Sequence, residues 1–364
     1  MSELFYLYGK PEVKADIRSH NSDFQVKEIL PFVPEGEGEH HLIHIRKDGL
    51  NTAQVAEMLS KFAGVHPKEV TFAGQKDKNA ITEQWFGVRI PGKETPDWAA
   101  MSNEQLTVLS FARHSKKLRT GALSGNRFTL VLRNVSNPQA LVERVKQIEQ
   151  GGVPNYFGEQ RFGHDGGNLI KARQMFQGRK VKDKNKRSLY LSAVRSELFN
   201  QVASARLTRF GAAPIEGDCV MLSGSRSFFT AESWDDTLTK RLAEQDIQLS
   251  VPLWGRGLPL AVGQAGEFEA EVLLPFALER DGLEKEGLSQ ERRALLLRPE
   301  QLSYKVDGNA VTLDFCLPAG AFATSVLREL CDYQDVKELE WRAAIAERDA
   351  KEAEQGGQDE TAGQ

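Results

Sequence analysis

With 364 residues, the chain is long enough for two or three domains of ordinary size. Its 40 % hydrophobic and 27 % charged residues suit a globular protein that can bury a sizeable core. No apolar run is long enough to span a bilayer, and residues 1–14 lack the apolar stretch of a signal peptide. Three widely spaced cysteines, Cys219, Cys316 and Cys331, argue against a disulfide framework or a cysteine zinc site. A chain without membrane association, in a reducing cytoplasm, is therefore expected. The formal net charge of −4 is uneven. From Lys337 onward eight acids stand against four bases, 4 − 8 = −4, so residues 1–336 sum to about zero. A polyanion would be met by local basic patches and not by net charge.

In chain order, residues 23–30 (DFQVKEIL) alternate and are rich in β-formers, which predicts a strand, and 40–46 (HHLIHIR) do the same. Asn51 is an N-cap for a helix to about Phe62, with Val55, Leu59 and Phe62 on one face and Gly64 as its stop. Residues 69–73 and 81–90 predict strands on either side of the loop Gly74-Gln75-Lys76-Asp77-Lys78, and Pro91-Gly92 ends the second. Further strands are predicted over 106–113 and 127–134. An amphipathic helix follows over 137–150, with Leu141, Val145 and Ile148 inward. Gly151-Gly152 marks a boundary, after which the pattern turns helical, over 167–176 and 188–210. Residues 218–222 and 267–272 read as strands or connectors, 292–297 as helix, 310–316 as strand, and 324–330 as helix beyond Pro318-Ala319-Gly320. The tail from Lys337 predicts a solvated helix in its first half and disorder over its last ten residues. The expected architecture is an α+β body with a helix-rich insertion.

There is no Walker A loop, zincin motif or nucleophile elbow, and no histidine stands at zinc spacing with a cysteine pair. What stands out is Phe72–Gln84, FAGQKDKNAITEQ, a carboxylate between two lysines in a loop between apolar strands. Flanking cations favour an anionic carboxylate, and such a group in a cleft is a competent nucleophile. Lys76 and Lys78 could equally meet phosphate. A solvated turn is the ordinary reading of Lys-Asp-Lys taken alone. Two basic segments follow, 113–119 with Arg113, Lys116, Lys117 and Arg119, and 179–187 with Lys184, Lys186 and Arg187. One such cluster is commonly a solvated face; two in a near-neutral background favour a polyanion partner. In Gly125-Asn126-Arg127-Phe128 the amide and ring suit turn and core, or a base edge and a stacked base. Asn155-Tyr156-Phe157-Gly158 and Gln160-Arg161-Phe162-Gly163 suit RNA and a domain junction alike.

Together these segments resemble the tRNA pseudouridine synthase D (TruD) family. The matching pieces stand in family order: Asp23-Phe24-Gln25-Val26-Lys27-Glu28; Phe72 to Lys78 with Ala80, Thr82 and Gln84; Gly125 to Phe128; Pro154 to Gly158 with Gln160 to Gly163; and Leu317 to Gly320 with Phe322, Ala323 and Thr324. They span residues 5–335; 229–286 match poorly, and the acidic tail stands outside the family core. The resemblance implies a pseudouridine synthase catalytic domain from 1–151 and 304–340, built on a mixed, largely antiparallel sheet. It implies an inserted α/β TRUD domain over 152–303, with 341–364 as a charged tail. It further implies conversion of uridine 13 of tRNA to pseudouridine. That isomerisation involves no redox change or net group transfer, so no cofactor is expected, and a monomer without an obligatory protein partner is expected as well. By resemblance, Asp77 is the catalytic aspartate, and Phe24, Asn126 and Phe322 line the nucleotide pocket. Phe128 lies against the target base and Arg18 is the basic partner of the aspartate. Lys76, Lys78, Lys116, Lys117, Arg119, Lys184, Lys186 and Arg187 are expected along the RNA backbone from their charge. The rival classes are a non-catalytic RNA-binding protein on the same fold and a hydrolase pairing Asp77 with Glu83 or Glu28.

Overall fold

Alternation of apolar and polar residues through the first third of the chain becomes a series of strands in a computed structural model. It describes the backbone of residues 3–92 and 94–361 and side chains through residue 348. The first elements are β1 (Lys14–Ile17), β2 (Phe24–Ile29), β3 (His40–Asp48), α1 (Thr52–Ala63), β4 (Val70–Phe72), β5 (Ile81–Arg89), β6 (Leu106–His114), β7 (Gly125–Leu132) and α2 (Pro138–Gly151). Helix α1 starts as expected. The Asn51 side chain accepts from the Gln54 backbone N–H at 2.8 Å, Gln54 returns a bond to the Asn51 N–H at 2.9 Å, and Gly64 ends it in a left-handed conformation.

The middle of the chain holds β8 (Val153–Pro154), α3 (Gly167–Phe176), α4 (Lys184–Phe210), β9 (Asp218–Leu222), β10 (Phe228–Ala231), α5 (Asp236–Ala243) and β11 (Ile247–Leu253). It continues with α6 (Gly263–Leu273), α7 (Ala277–Lys285), β12 (Glu291–Ala294) and β13 (Leu296–Leu297). The chain closes with β14 (Glu300–Asp307), β15 (Ala310–Pro318), α8 (Ala323–Leu330), β16 (Asp332–Asp335) and α9 (Val336–Thr361). Two expectations are corrected here. Residues 267–272 lie inside helix α6, where Phe268 and Leu273 are buried; the alternation Phe-Glu-Ala-Glu-Val imitated a strand. Residues 292–297 form strands although Ala, Leu and Arg favour helix, because Ser250↔Ala294 and Leu297↔Val153 pairing overrides local propensity. The tail is helical from Val336 to Thr361, well beyond the first half expected to be so.

The chain divides into two compact units. One comprises Glu12–Glu143, Glu300–Gly320 and Cys331–Gln364; the other comprises Met1–Pro11, Arg144–Pro299 and Ala321–Leu330. Thus the N-terminal stretch and α8, which the sequence assigned with the catalytic segments, cluster with the middle of the chain.

The first unit is organised by an eight-stranded sheet in the order β14-β15-β7-β2-β5-β3-β6, with β4 added to β5. Every pairing in it is antiparallel except β2 with β5. Helix α1 sets Val55 and Leu59 against Ile43, Ile45, Phe86 and Val88. Beside this sheet β1 and β16 form a short parallel pair. The second unit packs helices α3, α4, α6 and α7 with the four-stranded sheet β10-β9-β11-β12. Its core includes Phe199, Val202, Leu207, Val220, Leu249 and Phe268. Helix α4, 27 residues long, buries one side between Tyr190 and Leu207, and that packing stabilises it.

Candidate active site

Register decides which residues meet at the middle of the large sheet. Phe24 stands opposite Leu130, Val26 opposite Phe128, and Glu28 opposite Asn126. On the other flank of β7, Phe315 stands opposite Phe128. On β5 and β3, Gln84 pairs with Ile45 and Thr82 with Lys47. Side chains two apart share a face, so Phe24, Glu28, Asn126, Phe128, Gln84 and Lys47 all line one side. The loop between β4 and β5 crosses there and carries Asp77.

That loop is tied down by a buried polar network. Gln84 donates from Nε2 to the Gly74 carbonyl at 2.7 Å and accepts from the Thr52 hydroxyl at 3.0 Å. The Lys76 backbone N–H donates to Thr52 Oγ1 at 2.9 Å. Lys47 is 0 % exposed and donates from Nζ to the carbonyls of Leu50, at 2.6 Å, and Asp77, at 3.1 Å. Burial pushes the Lys47 ammonium down to about 8, opposed by the charge of Asp77. Glu28 accepts the Trp85 N–H at 2.8 Å and pairs with Lys76 Nζ at 2.6 Å. Burial raises the Glu28 pKa and the Lys76 charge opposes that rise. Lys76 therefore corrects the expectation of an RNA-backbone contact. Its ammonium points inward onto an acid that is fully buried, while Lys78, two residues on, is exposed.

Asp77 keeps a 31 % exposed side chain. Its Oδ1 accepts the Asn79 N–H at 3.0 Å, and its Oδ2 lies 3.0 Å from Nη2 of Arg18. Arg18 is 6 % exposed and adopts a left-handed backbone, φ 56°. Its Nη1 binds Asp335, and its guanidinium carbon stands 4.1 Å over the Phe24 ring. The preceding turn is held by Asp23, which accepts the His20 N–H at 2.9 Å and a two-pronged Arg133 at 2.7 and 2.9 Å. Asp335, Lys47, Thr52 and Gln84 escaped sequence reasoning as site residues. Only the Thr82 and Gln84 letters after the loop hinted at them.

An aromatic wall stands on the same face. Phe128 stacks on Phe315, with centroids 5.6 Å apart, and meets Phe24 edge-on at 6.4 Å. The Asn126 side-chain oxygen is buried and has no hydrogen-bond partner among the described residues. Phe322 belongs to the other unit, where its ring lies 5.7 Å from Phe157. The acids weighed as partners for Asp77 are engaged elsewhere: Glu28 on Lys76, and Glu83 3.2 Å from Lys27 and 3.6 Å from His44.

Of the expected backbone contacts, Lys116, Lys117 and Arg119 are exposed beyond the end of β6, and Lys184 and Lys186 are exposed in the first turn of α4. Arg187 is partly engaged, with its Nε 2.7 Å from Glu286 Oε2. Arg113 turns back to the Gly92 carbonyl. No helix among the described residues is long and apolar enough to cross a membrane.

The model of the family tRNA pseudouridine synthase D (TruD) matches residues 2–179 and 167–330. A tRNA pseudouridine synthase D of Shewanella oneidensis is 65 % identical over 95 % of this chain and 93 % of its own length. One of Aeromonas salmonicida is 51 % identical over 92 % and 96 %. A crystal structure described as a putative tRNA pseudouridine synthase D from Methanosarcina mazei has the same fold, with TM-score 0.69, 23 % identity, and coverage of 90 % of this chain and 95 % of that one. The chain therefore belongs to the tRNA pseudouridine synthase D (TruD) family, tRNA-modifying enzymes of the isomerase class.

Proposed function

We propose that the chain isomerises uridine 13 of tRNA to pseudouridine and that the Asp77 carboxylate carries the reaction. One observation supports this most: a partly exposed carboxylate held by a buried guanidinium, on a loop whose main chain is fastened at Gly74, Lys76 and Asp77. Fixed geometry of this kind favours catalysis, since the nucleophile need not be ordered at the moment of reaction.

In the isomerisation the N1–C1′ bond breaks, the uracil turns, and C5 joins C1′. The C5 proton leaves to solvent and N1 regains one, so atoms and electrons balance without a co-reactant. A uridine within a folded stem must first be flipped out, which costs a few kcal/mol. Stacking on rings such as Phe128 and Phe24 returns about 1–3 kcal/mol per base. The bare Asn126 oxygen suits the uracil N3–H, an acceptor for the one imide donor of the base. Arg18 supplies the counter-charge to Asp77 in a site lined by rings, where an unpaired carboxylate would be costly. Three cysteines spaced far apart in the sequence, and a tRNA substrate, support a cytoplasmic location.

Asp77→Asn tests the reading. The variant should bind tRNA as tightly as the wild type and release no tritium from uracil-5-labelled tRNA above background. Full turnover in that variant would remove Asp77 from the chemistry.

A further inference from the structure

Segment 155–163, in the unit that contains the middle of the chain, holds a guanidinium whose charge no acid among the described residues answers. Arg161 lies in the single helical turn Glu159–Phe162 and is partly buried. Its guanidinium carbon sits 5.6 Å from the centroid of Phe157 and 5.5 Å from that of Phe322. Its side chain donates one hydrogen bond, from Nη1 to the Ser192 hydroxyl at 3.0 Å. Among the described residues no carboxylate pairs with it, and Nε and Nη2 have no partner. Burial alone pulls its pKa down, where an acid would push it up.

The surroundings hold this arrangement in place. The Arg161 carbonyl accepts from Asn168 Nδ2 at 3.2 Å. Gly163 has φ +75°, and a Cβ there would meet the Asn168 side chain at 2.9 Å. A Cβ on Gly158 would meet the Thr324 hydroxyl at 2.6 Å. Arg293 brings a second guanidinium to one of these rings, 4.2 Å from the Phe157 centroid. Burial lowers its pKa first, and the charge of Arg161 lowers it further. Two cations packed against one ring, Phe157, repel, and a partly desolvated fork with free N–H groups can receive an anion.

We propose that Arg161 is a phosphate-binding residue, taking a backbone phosphodiester of bound tRNA on its Nε–Nη2 edge. The planar fork matches two phosphate oxygens, and the rings behind it fix its plane. The inference rests on the reading that the substrate is tRNA.

The test is a scan of tRNA transcripts in which single phosphates, through the arm that carries uridine 13, are replaced by neutral methylphosphonates. Wild type, Arg161→Met and Arg161→Lys are compared. At one position the wild type should weaken about tenfold, while Arg161→Met, already weakened to that degree, loses nothing more. The slope of log affinity against log salt should fall by about one in Arg161→Met. Arg161→Lys should restore the slope but not the full affinity, because an ammonium lacks the fork. If every methylphosphonate costs wild type and both variants equally, with the salt slope unmoved, Arg161 binds no phosphate. Should Arg161→Met not fold, the wild-type and Arg161→Lys scans decide by the same coupling. Wild type that binds tRNA but forms no pseudouridine would fail the proposed function itself; normal turnover without coupling would fail only this assignment.

Discussion

Around Asp77 the cations Arg18 and Lys47 are buried and Lys76 is half-buried, and each is bound to protein: a carboxylate pair, two carbonyls and Glu28. In segments 113–119 and 179–187, Lys116, Lys117, Arg119, Lys184 and Lys186 are exposed to solvent. Both regions look alike as strings of basic letters. Burial separates their roles, because an inward cation fixes local geometry while an outward one can exchange counterions for phosphate. The GQKDK loop shows the split within three residues, with Lys76 inward and Lys78 outward. Substitutions in the first region should change stability and turnover, and those in the second should change affinity and its salt dependence.

The largest effect is expected at Lys76. Replacing it with Met leaves Glu28 buried with a backbone N–H and only the more distant charge of Lys47, which should cost about 3–5 kcal/mol of stability. Lys78→Met, on the exposed side, should stay within about 0.5 kcal/mol. Urea denaturation of the two variants measures the contrast; equal midpoints would break it.

Lys47→Met comes next. The ammonium holds the Asp77 carbonyl, so losing it should lower kcat about a hundredfold at unchanged tRNA affinity, by loosening the nucleophile's position. A stability signature accompanies it. The folded value of about 8 lies below the ordinary 10.5. Between those pH values the unfolded chain holds a proton that the folded chain does not, so the stability contributed by Lys47 rises with pH across that window. Below pH 8 the protonated, buried amine carries its desolvation cost. The wild type should therefore gain about 1–3 kcal/mol over Lys47→Met between pH 7.5 and 10. Parallel stability curves for the two proteins would show that another group titrates there.

The sequence reveals elements most reliably where local signals and tertiary pairing agree. The Asn51 cap, the Gly64 stop and the alternation of β2, β3 and β5 are local, and all recur in the fold. Residues 292–297 fail because their pairing with β11 and β8 is invisible to helix propensity. The site divides in the same way. Asp77 and the rings are conspicuous letters in one motif set. Lys47, Thr52, Gln84 and Asp335 act through hydrogen bonds across large sequence separations, such as Arg18 to Asp335, and carry no local mark. The direction of Lys76 is likewise a property of a loop packed over Glu28, beyond the reach of strand or helix periodicity.

The smallest expected effect lies at the start of α4, where no acid occupies the first turn and Lys184, Lys186 and Arg187 do. Cations at a helix N-terminus sit against its positive dipole end, a cost of about 0.3–1 kcal/mol each that nearby phosphate would relieve. Asp183 satisfies the Asn185 and Lys186 N–H groups at 2.8 and 3.2 Å, so the cap survives substitution of the lysines. Lys184→Glu combined with Lys186→Glu should therefore leave the melting temperature unchanged or slightly raised. It should weaken tRNA binding about tenfold and flatten the salt slope by one to two. A slope equal to that of the wild type, in a folded variant, would place this end of the helix outside the RNA footprint. The exposed cations of 113–119 would then be left to account for the electrostatic part of binding.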